Sequence, residues 1–136
     1  MEQTTPYGFG TTVPLPYEQA VERTREVLAA EGFGILTEID VAATLRNKLG
    51  ADFRPYVILG ACNPPLAHRA LTAERDIGLL LPCNVIVYAA DDPNRSVVAA
   101  MDPEAALSLT GNDAVRPLAA EVKERLQRAL TSLEGG

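Results

Sequence analysis

Cys62, His68 and Cys83 are the residues of this chain whose types could support reactive chemistry. They include both cysteines and the only histidine, gathered into one short stretch. Cys62 ends an apolar run, Tyr56-Val-Ile-Leu-Gly-Ala-Cys, and stands immediately before Asn63-Pro64-Pro65. Cys83 follows Pro82 and begins a second run, Cys83-Asn84-Val-Ile-Val-Tyr88. A thiol one residue before a helix N-cap would sit near the amide end of that helix, which favours thiolate and lowers its pKa. With His68 along the same helix as proton acceptor, Cys62 would then be a nucleophile. If the two strands are neighbours, the two sulfurs could instead cycle through a disulfide, although their spacing is not the Cys-x-x-Cys of redox motifs. Zinc or cuprous copper could be held by Cys62, His68 and Cys83, yet three ligands without a paired spacing make no recognisable metal motif. The plainer reading is that both cysteines are small buried hydrophobes and His68 lies on the surface. No metal and no cofactor is expected.

Other clusters carry less. The serines, Ser96, Ser108 and Ser132, lie in no nucleophile motif, so a hydrolase triad has no support. Gly8-Phe-Gly10 is a fragment of a nucleotide-binding glycine pattern, set within a strand rather than between strand and helix. Glu38 and Asp40 could pair as carboxylates, but Asp40 is also placed to cap a helix. Asp91 and Asp92 belong to a turn.

The elements that must position these residues follow from length and patterning. A chain of 136 residues, 47% hydrophobic and 22% charged, is expected to fold as one domain, residues 1–136, with an ordinary core. A net charge of -6 argues against nucleic acid or an anionic membrane as partner. Arg46, Lys48 and Arg54 are the only basic cluster, and they suit a helix end. No Trp and few other aromatics leave little for a base-stacking platform. The start, Met1-Glu-Gln-Thr-Thr-Pro, has no basic segment followed by an apolar run, and the longest apolar stretch, Ile77 to Cys83, is too short to span a bilayer. A cytoplasmic location with reduced thiols is the expectation.

Tyr7 to Val13 reads as a first strand, closed by Pro14 and Pro16. Ala20, Val21, Thr24, Val27 and Leu28 recur at helical spacing over Tyr17 to Glu31, and Gly32 is a C-cap. Phe33 to Ile39 is a second strand, and Asp40 caps a short helix that Gly50 closes. The strand Arg54 to Ala61 is apolar without interruption. Asn63 as N-cap and Pro64 at the first helical position start a helix to about Glu74 or Arg75. Pro82 introduces a strand through Ala89, and the turn Asp91-Asp92-Pro93-Asn94 returns it as a hairpin over Ser96 to Met101. A helical turn or two is expected over Pro103 to Leu109. Asp113 opens the last helix, with Leu118, Val122, Leu126 and Leu130 on one face and Glu121–Arg125 and Glu124–Arg128 pairs on the other.

Two long amphipathic helices segregated from a mostly antiparallel sheet of about five strands define an α+β class, with the helices on one sheet face. The strand through Tyr56, Ile58 and Gly60 is apolar on both sides. A second copy of the chain is therefore expected to cover the open face, making a homodimer.

The strand-to-helix segment Gly60-Ala-Cys-Asn63-Pro64, followed by Leu80-Leu-Pro82 and an apolar strand, resembles the domain of unknown function 302 family. The opening Tyr7-Gly-Phe-Gly and the helix starting near Tyr17 resemble it too, so the likeness extends over residues 5 to 110. It implies a curved antiparallel sheet with helices on one side, similar to the TATA-binding-protein-like β-α-β4-α arrangement, in a protein commonly found as a dimer. No activity comes with the family. Likeness to a DNA-binding fold is not evidence of DNA binding, and the acidity opposes it.

The functional expectation is a homodimer binding a small ligand at the Cys62-Asn63-Pro64 junction, with Cys62, Asn63, His68, Cys83 and Asn84 as candidate contacts. Helix amides beyond the prolines would favour an anionic or polar group, weakened by the two missing donors. The alternative is a thiol-dependent redox or soft-metal-handling protein using Cys62, Cys83 and His68.

Overall fold

Apolar alternation along Val57, Leu59 and Ala61 and along Cys83, Val85 and Val87 places two strands at the heart of a sheet, each burying these side chains almost completely. The computed structural model describes residues 1–134. Its strands are β1 (Glu2–Thr5), β2 (Gly8–Val13), β3 (Gly34–Asp40), β4 (Tyr56–Cys62), β5 (Cys83–Ala89) and β6 (Ser96–Met101). They form one sheet in the order β1-β2-β6-β5-β4-β3, every neighbouring pair antiparallel. The expected five strands become six because Glu2–Thr5 adds an edge. Its sequence, Glu-Gln-Thr-Thr, has no apolar alternation, and its place in the sheet comes from pairing with β2.

The helices are α1 (Tyr17–Ala30), α2 (Val41–Leu49), α3 (Pro64–Ala73), α4 (Pro103–Leu107) and α5 (Arg116–Glu134). Ala20, Val27 and Leu28 of α1 and Leu126, Ala129, Leu130 and Leu133 of α5 pack on the inner sheet residues as one core. Both long helices therefore cover the same face. Gly32, at φ 86°, ends α1 as expected: it lets the Phe33 amide donate to Leu28 O and its own amide to Ala29 O, both at 3.0 Å. Asp40 caps α2 by accepting from Ala43 N at 2.9 Å. On α5 the Arg125–Glu121 and Arg128–Glu124 pairs form, at 3.2 and 2.8 Å.

α5 begins later than Asp113. Asn112 holds the preceding turn: its Oδ1 accepts from Ala114 N at 2.9 Å, and its Nδ2 donates to Ala73 O at 3.0 Å and Glu74 Oε1 at 2.9 Å. That tie joins the turn to the end of α3. A second apolar cluster forms around it, from Leu66 and Ala70 of α3, Ile77 in the 3₁₀ segment Arg75–Leu80, Leu107, Val115 and Leu118. Asp102, in the link from β6 to α4, ties the start of α4 to α5: it caps α4 by accepting from Glu104 N at 2.9 Å and meets Lys123 Nζ at 3.0 Å.

The other sheet face carries Tyr56, Ile58, Ile86, Tyr88, Val97 and Ala99, all half-buried, with the Tyr56 and Tyr88 rings stacked at 5.3 Å and 7°. α2 buries none of its residues, and Leu36, Ile39, Leu49 and Phe53 around it are exposed. Among the described residues no helix is long and apolar enough to cross a membrane.

Candidate functional site, an apolar cavity at the end of the sheet

The two apolar clusters touch through Leu81 and Val122 but do not close on each other completely. Between them lies a cavity of about 280 Å³. β4 and β5 end against it with Ala61, Cys62 and Cys83; α3 contributes Leu66, Ala67, Ala70 and Leu71; α5 contributes Leu118 and Val122. Leu36, pushed out by the β-bulge between Ile35 and Thr37, stands at the rim with Leu71, and both are exposed. Among the described residues no charged side chain lines the space.

Its one strongly polar member is Asn63, a buried residue. The Asn63 Oδ1 accepts from Leu66 N at 3.3 Å, the expected cap, and Asn63 O accepts from Ala67 N at 2.8 Å. Pro64 and Pro65 have no amide hydrogen to give. Every donor at the start of α3 is thus absent or already engaged. The Asn63 Nδ2 turns toward Gly32, 3.0 Å from where a Cβ on that glycine would stand.

This arrangement overturns the expected electrostatics of Cys62. Burial pushes its thiol above the ordinary cysteine value rather than below it, since no helix amide is free to stabilise a thiolate. Cys83 is pushed up to about 11, first by burial and then by the nearby Cys62. Both cysteines are free thiols. Ala61, not Cys62, pairs with Cys83 across β4 and β5, so strand alternation aims the two thiols differently although both border the cavity.

Of the five residues expected at the site, the structure brings together Cys62, Asn63 and Cys83. His68 is exposed on α3, away from the Leu66–Ala70 face, and does not line the cavity. A base for Cys62 is therefore not in place. Among the described residues no group of three or more His, Cys, Asp or Glu side chains is placed to hold a metal ion. Asn84 is exposed on the other face of β5, opposite Gly60, in a separate concavity of about 570 Å³ that it shares with Tyr7, Tyr56 and Tyr88. One-residue alternation explains the split: Cys83 and Asn84 are neighbours in sequence and face opposite sides of the sheet.

Sequence reasoning missed the α3 wall. Leu66, Ala67, Ala70 and Leu71 recur at helical spacing, which was signal enough for an apolar face. What the pattern lacked was any sign that the face would leave a space open.

These features define an α+β domain with a one-sided helical layer and an uncharged cavity where the sheet, α3 and α5 meet. The family model for domain of unknown function DUF302 matches residues 9–133, and the chain belongs to that family. It is also similar to a solved structure, the uncharacterized conserved protein DUF302 from Bacillus stearothermophilus. The two share 31% identity and superpose with a TM-score of 0.84, covering 92% of this chain and 96% of that one. No curated protein matches the chain.

Proposed function

We propose that this DUF302 domain binds a small hydrophobic molecule in the cavity between the ends of β4 and β5, α3 and α5. The carrying observation is the lining: apolar on every wall apart from Asn63, whose Oδ1 already accepts from Leu66 N at 3.3 Å. A space of this kind offers burial of apolar surface, worth about 25 cal/mol per Å² removed from water, and little else. The volume lies near the lower end of small-molecule sites. The anionic ligand expected from the helix amides is set aside, because those amides are occupied or missing. Thiol chemistry with His68 as base and a Cys62–His68–Cys83 metal site have no geometric support, because His68 lies outside the cavity and no such group of ligands is gathered among the described residues.

The uncharged open face of the sheet supports a second element of the proposal, a homodimer formed across Ile58, Ile86, Val97 and Ala99. The TATA-binding-protein-like arrangement implied by the family resemblance belongs to the same reading, with the concave face meeting a second copy rather than DNA.

Native mass spectrometry of gently purified protein tests both elements. The expected spectrum is a dimer that carries a hydrophobic adduct or takes one up from an extract of neutral small molecules. Replacing Ala67 with Trp, which fills the space, removes the adduct. A monomer would contradict the dimer. An empty protein that takes up nothing, or an adduct unaffected by Ala67→Trp, would contradict the site.

A further inference from the structure

The geometry points to selection by charge: we infer that the cavity accepts neutral hydrophobes of roughly twelve non-hydrogen atoms and rejects the corresponding carboxylates and amines. This rests on the reading of the cavity as a ligand site and adds the chemical class of its ligand.

Size comes from the volume. An apolar cavity of about 150 Å³ takes up benzene, so a space of about 280 Å³ suits a hydrocarbon body roughly twice as large.

Charge selection comes from what the walls lack. A buried anion needs a cation or several free donors. The only histidine points away, and no lysine or arginine reaches the lining. Arg125, on the next turn of α5 beyond Val122, is engaged by Glu31 O at 3.2 Å and Glu121 at 3.2 Å. Lys123 is held by Asp102 at 3.0 Å and Glu104 at 3.2 Å. The N-terminus of α3, a ready anion site in other folds, is closed from within by Pro64, Pro65 and the two acceptors of Asn63, which leaves the Asn63 Nδ2, turned toward Gly32, as a single side-chain donor where an ion needs several. A cation would fare no better: no carboxylate lines the space, and both thiols keep their protons at neutral pH. A hydroxyl or ether can leave its polar end at the open rim between Leu36 and Leu71 at little cost, whereas an ion there gives up part of a much stronger hydration shell against apolar side chains and gains no partner from the lining.

The test uses 2-naphthylmethanol and 2-naphthoate, matched in size and differing in charge, titrated by ligand-observed NMR into the full chain. The alcohol is expected to bind, and the carboxylate to bind at least about tenfold more weakly at pH 7. That gap narrows as the pH is lowered toward about 4, where the carboxylate takes up a proton. Two blocking variants, Ala67→Trp and Leu71→Trp, are expected to abolish alcohol binding. The second alters an exposed rim residue, so the fold does not depend on it. Equal or tighter binding of 2-naphthoate at pH 7, lost in both variants, would overturn the charge selection while leaving the cavity as a site. No binding of either probe, or binding that survives both variants, would overturn the site and the selection together.

Discussion

Replacing Gly60 with Ala should strain the centre of the sheet where the two cysteine-bearing strands meet. A Cβ at Gly60 would lie 2.1 Å from Thr37 Oγ1 and 2.8 Å from Pro82 Cγ. Thr37 can turn its hydroxyl aside, because it is exposed on the edge strand β3. Pro82 cannot, since its ring is rigid and fixed immediately before Cys83. Overpacking of this kind costs about 1–3 kcal/mol. With one contact movable and one not, a loss of about 2 kcal/mol is expected, or roughly 6–10 °C in Tm for a chain of this size. Urea unfolding of wild type, Gly60→Ala, Thr37→Ala and the double variant gives the assay. Thr37→Ala alone should fall within about 0.5 kcal/mol of wild type, as an exposed position. The double variant should recover part of the loss but not all, because the Pro82 contact remains. Gly60→Ala as stable as wild type, or complete recovery in the double variant, would refute the reasoning.

Four further outcomes follow from the same geometry. Gly10→Ala should be costlier than Gly60→Ala in the same urea assay, because its Cβ would meet the backbone Val98 O at 2.6 Å, an atom that only a shift of β6 can move. Asn63→Ala removes the α3 cap and leaves the Leu66 amide unpaired, a loss of about 1–2 kcal/mol by denaturant midpoint; unchanged stability would show that the cap is dispensable. Thiol labelling at pH 8 should modify Cys62 first, more slowly than free cysteine, and Cys83 only on unfolding. Since the folded protein holds the Cys83 proton more tightly than the unfolded chain, this contribution is intact below about pH 8.5 and is lost as pH rises toward about 11. Cys83→Ala should flatten that alkaline decline.

Most of the scaffold was legible because local chemistry agreed with tertiary context. Asp40, Asn63, Gly32 and Gly50 mark helix ends through capping and positive φ, and the structure uses all four for those purposes. The alternation in β4 and β5 likewise survives unchanged into the core. β1 was not legible, because a polar edge strand earns its place from a neighbour rather than from its own pattern. The site was only half visible. Cys62, Asn63 and Cys83 do meet, but as lining of an apolar space. Residue types cannot report that Asn63 and two prolines have used up the helix amides, nor that His68 falls on the outward side of α3. Asn84 was misplaced with its neighbour Cys83 because sequence proximity and sheet facing are opposed in a strand.

Amide chemical-shift mapping with 2-naphthylmethanol tests the central claim most directly. The account predicts saturable shifts confined to Ala61, Asn63, Ala67, Leu71 and Val122, where the strand ends, α3 and α5 enclose the cavity. Shifts at Ile86, Tyr88 and Ala99 instead, or none at all, would contradict it.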